Sequence, residues 1–147
     1  GRGAHVEFAV RDPVGGASAA GRIGAYHPGA SIEVQQLGLA SLDSVREAAA
    51  ALGDRHDRID LLINNAGMTT RQRVATADGY EPQFAVNHLG HFALAGLLLP
   101  RMKDTAGARV VTVSSMTAHK ASNMIGDPNW ERTPYDSNGA YGWSVRQ

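Results

Sequence analysis

Hydrophobic residues recur at two different periods along the chain. In AHVEFAV (4–10) Val6, Phe8 and Val10 stand at period two, which predicts a strand. SIEVQQL (31–37) alternates in the same way and predicts a second. IDLLI (59–63) and the start of RVVTVSS (109–115) are continuous apolar runs, the pattern of parallel strands covered on both faces. Between the strands the period lengthens. Residues 14–26 predict a helix, weakened by Gly15, Gly16, Gly21 and Gly24. Ser41 is an N-cap candidate for LDSVREAAAALGDRH (42–56), which carries an acid in its first turn. A long helix is predicted over 79–102, and another begins near Ser137. RDPVGG and HPGA read as turns, and residues 116–140 hold turn formers without a period.

Strands and helices therefore alternate, which predicts an α/β fold built on a mainly parallel, doubly wound sheet. Ligands of such sheets bind beyond the carboxyl ends of the strands. The residues there are Arg11 and Asp12, Gly38, Asn64 to Gly67, and Ser114 and Ser115.

Composition narrows the chemistry. The 147 residues suit one domain, and 14 basic residues balance 14 acidic ones. A nucleic-acid binder would carry a basic excess. There is no cysteine, so disulfides, thiolate metal sites and cysteine nucleophiles are excluded. The longest apolar run, Phe92 to Leu99, falls far short of the roughly 20 residues that span a bilayer. No charged-then-apolar leader opens the chain, and a cytoplasmic protein is expected. His88 and His91 stand three apart on the long helix, but no third ligand stands at a matching spacing, and no metal is expected.

Four motifs occur in order: LLINNAG (61–67), NHLGHFAL (87–94), RVVTVSS and AYGWS (140–144). Together they resemble the short-chain dehydrogenases/reductases. AVRD (9–12), PGASIEVQQLGLASLDSVREAA and LLLP are similar more narrowly to the branch of retinol-dehydrogenase-like and protochlorophyllide-reductase-like enzymes. The resemblance implies a Rossmann-type domain and hydride transfer between a nicotinamide cofactor and a small alcohol or carbonyl. It implies that Asn64, Ala66 and Gly67 line the cofactor's adenosine and ribose, although Asn and Gly are also ordinary turn residues. It carries the catalytic set onto Asn87, Ser115 and Tyr141. Tyrosine exchanges the proton, serine polarises the carbonyl, and asparagine anchors a relay water. On residue type alone Asn87 could satisfy a helix carbonyl, Ser115 could cap a turn, and Tyr141 could pack on the core. Ser114 is expected to be structural. Arg11, directly after the first strand, suits an adenosine 2′-phosphate and favours NADP over NAD, or else is a surface charge. Asp12 is a candidate cap for the following helix.

The chain also departs from the family pattern. No glycine-rich phosphate loop follows any strand. Valine stands at 145, where Y-x-x-x-K would place lysine. Arg146 is one residue along, about 100° around the helix. A tyrosine with no cation beside it stays protonated at neutral pH, suited to reduction and a poor base for oxidation. Gly38 replaces an aspartate expected at the adenine. The 147 residues thus read as an incomplete NAD(P)-binding domain, cut at both ends, with an inactive remnant or pseudoenzyme as the alternative to an enzyme. The family's first strand would lie mid-sheet. Its absence predicts two separated strand pairs that expose Val6, Phe8, Leu61 and Ile63, unless the first and third strands present here pair directly.

Overall fold

The computed structural model describes residues 3–146, which group into two units, one up to Gly38 and one from Leu39 onward. In the first, strand β1 (His5–Val10) pairs in parallel with β2 (Ser31–Gln36), in a register running from His5 opposite Ser31 to Val10 opposite Gln36. Helix α1 (Pro13–Tyr26) makes the crossover. Asp12 caps it, its Oδ1 accepting from the Val14 amide at 3.0 Å, and Pro13 fits the first helical turn, where no amide donor is needed. Gly16 is the buried residue of this helix, and a Cβ there would lie 2.7 Å from Val10 Cγ2 and 3.1 Å from Val34 Cγ1. One of the glycines that weaken the helix locally is thus what lets it lie on the strands.

In the second unit, Ser41 caps α2 (Leu42–Arg55) by accepting from the Ser44 amide at 3.3 Å. The buried face of α2, Val45, Ala48, Ala49 and Leu52, has helical spacing. It packs on α4 (Gly90–Leu98), whose buried residues include Leu94 and Leu98. The predicted long helix is continuous from Pro82 to Arg101 but changes pitch: a short α3 (Pro82–Phe84), a π-turn (Ala85–Leu89), α4, and a closing 3₁₀ turn (Leu99–Arg101). Strand β3 (Leu61–Asn64) pairs in parallel with β4 (Arg109–Thr112), Asn64 opposite Thr112. A 3₁₀ turn (Met116–Lys120) and helix α5 (Ser137–Ser144) follow. Asp136 caps α5 through the amides of Asn138 and Gly139, both at 3.1 Å.

Gly90 is the tightest point of this unit. A Cβ there would stand 2.5 Å from the Leu39 carbonyl oxygen and 3.0 Å from Leu39 Cβ. Alanine ordinarily gains about 1 kcal/mol over glycine inside a helix. Here the clash is with backbone, and Gly90→Ala is expected to destabilise by about 1–3 kcal/mol net. Urea titration followed by helical circular dichroism checks the sign; a stabilised variant would show that the α4 backbone is not held against Leu39.

Among the described residues each unit holds a parallel sheet of two strands, β1 with β2 and β3 with β4. The α/β class and the partial parallel sheet are therefore as the sequence predicts. The two-face coverage that the apolar runs suggest for β3 and β4 is not found, and the exposure expected of Leu61 and Ile63 is. Leu61 and Ile63 are 51% and 56% exposed, and all four residues of β4 are exposed. Two paired strands present two apolar faces, and among the described residues too little packs over them. Val6 is exposed as expected, whereas Phe8 is half-buried. No described helix is long and apolar enough to cross a membrane.

Candidate active site

The loop after β3 and helix α5 meet at one buried side chain. Asn87, 2% exposed, sits in the π-turn, a local widening of the helix often found at functional sites. Its Oδ1 accepts from the Met68 amide at 2.8 Å, and its Nδ2 donates to the Met68 carbonyl at 3.0 Å. The same Nδ2 donates to Ser144 Oγ at 2.9 Å, and Ser144 Oγ donates to the Tyr141 carbonyl at 2.9 Å. One amide therefore ties the end of the NNAG loop to the helix that carries Tyr141. Satisfying a helix carbonyl, the bland alternative for Asn87, describes His91 instead: its Nδ1 donates to the Asn87 carbonyl at 3.2 Å.

Asn64 closes β3 and is buried, its carbonyl accepting from the Val113 amide at 3.0 Å. Its side-chain Oδ1 is buried without a partner among the described residues. Asn65, Ala66 and Gly67 are exposed. A Cβ on Gly67 would meet only the Asn87 side chain, at 3.4 Å from Oδ1. The loop is thus an open floor of small residues with an orphaned acceptor at its root. That combination suits a polar ligand laid along backbone.

Ser115 does cap a turn. Its Oγ accepts from the Thr117 amide at 3.3 Å and from Thr117 Oγ1 at 2.9 Å. Both bonds are accepted, so the capping leaves the serine's own proton available to a carbonyl oxygen. Ser114 is structural, its Oγ donating to the Val145 carbonyl at 2.6 Å. Helix α5 lies on the turn that Ser115 begins: a Cβ on Gly142 would stand 3.0 Å from the Thr117 carbonyl oxygen and 3.1 Å from Ala121 Cβ. Tyr141 is half-buried, and its phenol has no hydrogen-bond partner among the described residues. Asn87, Ser115 and Tyr141 are therefore linked through two helices and a turn.

At the position of the missing lysine, Val145 is buried and caps α5, its amide donating to the Tyr141 carbonyl at 3.2 Å. Arg146 does not stand in for lysine: its guanidinium donates to the Ala121 carbonyl at 3.2 Å. Arg11 is exposed directly after β1, in the first unit. The His88 ring stacks between Phe84 and Phe92, at 5.5 and 6.5 Å between centroids. Burial pushes both His88 and His91 below the usual imidazole range. Two open clefts of about 410 and 390 Å³ lie around Arg101 and contain none of the candidate residues.

Sequence reasoning passed over a buried polar group beside the site. Glu81 and Gln83, 2% and 0% exposed, open the helix that carries Asn87. Tyr135 donates to Glu81 Oε1 at 2.9 Å and accepts from Gln83 Nε2 at 3.1 Å. Burial first, then the Glu81 hydrogen bond, pushes the Tyr135 phenol up to about 12. The one local signal was an acid directly before Pro82 at a helix start, which is a cap pattern.

Parallel strand pairs with helices between them, and Asn87 bonded both to the loop after β3 and to the helix that carries Tyr141, are the setting of the family resemblance. The family model described as short chain dehydrogenase matches residues 1–126, and the chain belongs to that family. It is 40% identical to human retinol dehydrogenase 13 over 141 residues, covering 95% of this chain and 42% of that protein. It is 44% identical to bovine retinol dehydrogenase 12 over 118 residues, covering 80% and 37% respectively. The chain thus spans less than half the length of these curated relatives. A crystal structure of an uncharacterized protein from Mycobacterium paratuberculosis superposes with a TM-score of 0.82 at 43% identity, over 98% of this chain and 49% of that one. A metagenomic short-chain oxidoreductase in complex with NADP shares the fold, with a TM-score of 0.74 at 22% identity over 98% and 59%.

Proposed function

We propose that this site serves NADP-dependent hydride transfer between an alcohol and a carbonyl of a small molecule, in the cytoplasm. The observation that carries the reading is the Asn87 bridge, which fastens the loop after β3 to the helix of Tyr141. The names of the retinol dehydrogenases agree with an alcohol substrate. Arg11 would hold a 2′-phosphate, and the backbone of Ala66 and Gly67, with Asn64 beneath, would line the ribose side. The cofactor supplies the hydride when bound. Ser115 Oγ–H donates to the substrate oxygen and polarises it. Tyr141 delivers the proton to that oxygen as it becomes an alkoxide. Asn87 holds the loop and helix at the spacing these two roles need.

Val145 favours a second reading, a member of the family without turnover. With a buried valine in the lysine's place, position 145 offers the Tyr141 phenol no ammonium. No glycine-rich loop offers backbone donors to a pyrophosphate either. The 147-residue chain is therefore expected to show no saturation with NADPH at micromolar concentrations in a fluorescence titration. A dissociation constant of a micromolar or less, which takes about 8 kcal/mol, would contradict this.

The lineage activity is tested in a chimera that carries residues 1–147 between the flanking segments of the Mycobacterium paratuberculosis protein. NADPH consumption with aldehydes should appear and be lost in Tyr141→Phe. Arg11→Ala should erase most of the preference for NADPH over NADH. An unchanged ratio of kcat/KM values would reduce Arg11 to a surface charge, and a chimera indifferent to Tyr141→Phe would overturn the catalytic assignment.

A further inference from the structure

The buried group of Glu81, Gln83 and Tyr135 has no place in the chemistry above, yet all three side chains are hydrogen-bonded, with Gln83 Oε1 left without a partner among the described residues. The Glu81 amide donates to Asn129 Oδ1 at 3.1 Å, and Glu81 Oε2 accepts from the Phe84 amide at 2.6 Å. Glu81 Oε1 accepts from the Tyr135 hydroxyl. Gln83 Nε2 donates both to that hydroxyl and to the Ser137 carbonyl, the latter at 3.0 Å. Because an amide nitrogen can only donate, the Tyr135 oxygen must accept there, and its one proton is directed at Glu81. The direction of every bond in the group is thereby set.

A carboxylate taken out of water is costly, and apolar residues of similar size often serve stability as well or better. What a hydrogen-bonded polar group adds is one geometry in place of several. This one joins two helix starts. On one side Glu81 begins the continuous helix that carries Asn87. On the other, Tyr135 precedes the capping Asp136, and Ser137 opens the helix that carries Tyr141. The far end of that helix is held by Asn87 through Ser144 and by Ser114 through Val145. Tyr141 lies between the two fastenings.

We propose that Glu81 is a positioning residue of the site: through Tyr135 it fixes the start of the Tyr141 helix against the helix that carries Asn87. The role rests on the assignment of Asn87 and Tyr141 to the site, but its test needs neither cofactor nor substrate. Failure of the hydride-transfer reading would therefore leave the result legible.

The 147-residue chain is labelled with 3-fluorotyrosine, the Tyr141 fluorine signal is assigned with Tyr141→Phe, and amide exchange is followed over residues 137–144. Glu81→Ala is expected to shift and broaden the Tyr141 signal. It should speed exchange in that helix about tenfold or more, the effect of losing a hydrogen bond to a charged group. Tyr135→Phe should reproduce the change at Tyr141, and the double variant should add little, since both remove the same link. Glu81→Gln keeps an oxygen for Tyr135 and should leave the Tyr141 signal in place, while the Phe84 amide, now uncapped, exchanges faster. Should Glu81→Ala unfold the chain, Tyr135→Phe and Glu81→Gln decide alone. The proposal is overturned if Tyr135→Phe leaves the Tyr141 signal where it was, or if Glu81→Gln moves it as much as Glu81→Ala. It is also overturned if residues 137–144 of the unsubstituted chain exchange like an unstructured peptide.

Discussion

Replacing Asn87 by alanine is expected to free the Met68 loop and to loosen helix α5 in one step. The substitution removes the two hydrogen bonds to the Met68 backbone and the one to Ser144 Oγ. It leaves the half-buried amide and carbonyl of Met68 without that partner. Each orphaned group costs about 1–3 kcal/mol, so a loss of about 2–5 kcal/mol is expected. That is a large share of the roughly 5–15 kcal/mol that holds a domain together. Asn87→Asp should not restore the site, because a carboxylate keeps the acceptor for the Met68 amide and turns its second oxygen on the Met68 carbonyl. Amide exchange checks the result. The Met68 amide and those of residues 139–145 should lose protection together. Unchanged protection at Met68 would mean that the loop is held by something else, and the bridge would lose its place in the proposed function.

The second large effect concerns the chain as a whole. Heating the 147-residue polypeptide should give no single sharp transition. Strands β1 and β2 form a sheet of two, and β3 and β4 another. A pair of strands is marginal by itself in water. Of the described residues up to Gly38, only Gly16 and Leu37 are buried, so this unit adds very little core. The second unit holds Val45, Leu52, Leu94, Leu98 and Met102 within its core, yet leaves Leu61, Ile63, Val110, Val111 and Val113 exposed on or just beyond its strands. Exposed apolar strands invite edge-to-edge association. The expected behaviour is low solubility, or a helical signal with a broad melt, in which residues 5–10 and 31–36 exchange fast while 45–52 stay protected longer. A monomer with one cooperative transition and dispersed amide resonances would show that the strand pairs do close, contrary to this expectation.

Some of this molecule was legible along the chain because its causes are local. Ser41, Asp12 and the helix start at Ser137 follow from side chains reaching backbone amides two or three residues on. The alternation in β1 and β2 and the 3–4 spacing in α2 follow from the periods of strand and helix. The motifs around Asn64, Asn87, Ser115 and Tyr141 carried the family for the same reason, since each motif is a few adjacent residues. Exposure of Leu61 and Ile63 was legible from the missing mid-sheet strand, whereas that of β4 was not: an apolar run says what a strand needs on its faces, and only the fold shows how little packs there. The role of Gly16 was hidden too, because a glycine that costs helix propensity locally is required by Val10 and Val34, which meet it from two strands. Glu81 and Tyr135 lie 54 positions apart, and Asn87 and Ser144 lie 57 apart. Hydrogen bonds over such separations depend on where packing brings two helices, and no local pattern encodes that meeting. The sequence by itself determined the family, the candidate residues its motifs name, and the helices and strands that carry them. Tertiary structure alone decided which of those residues are held together, because the buried bonds that hold them join segments the chain keeps far apart.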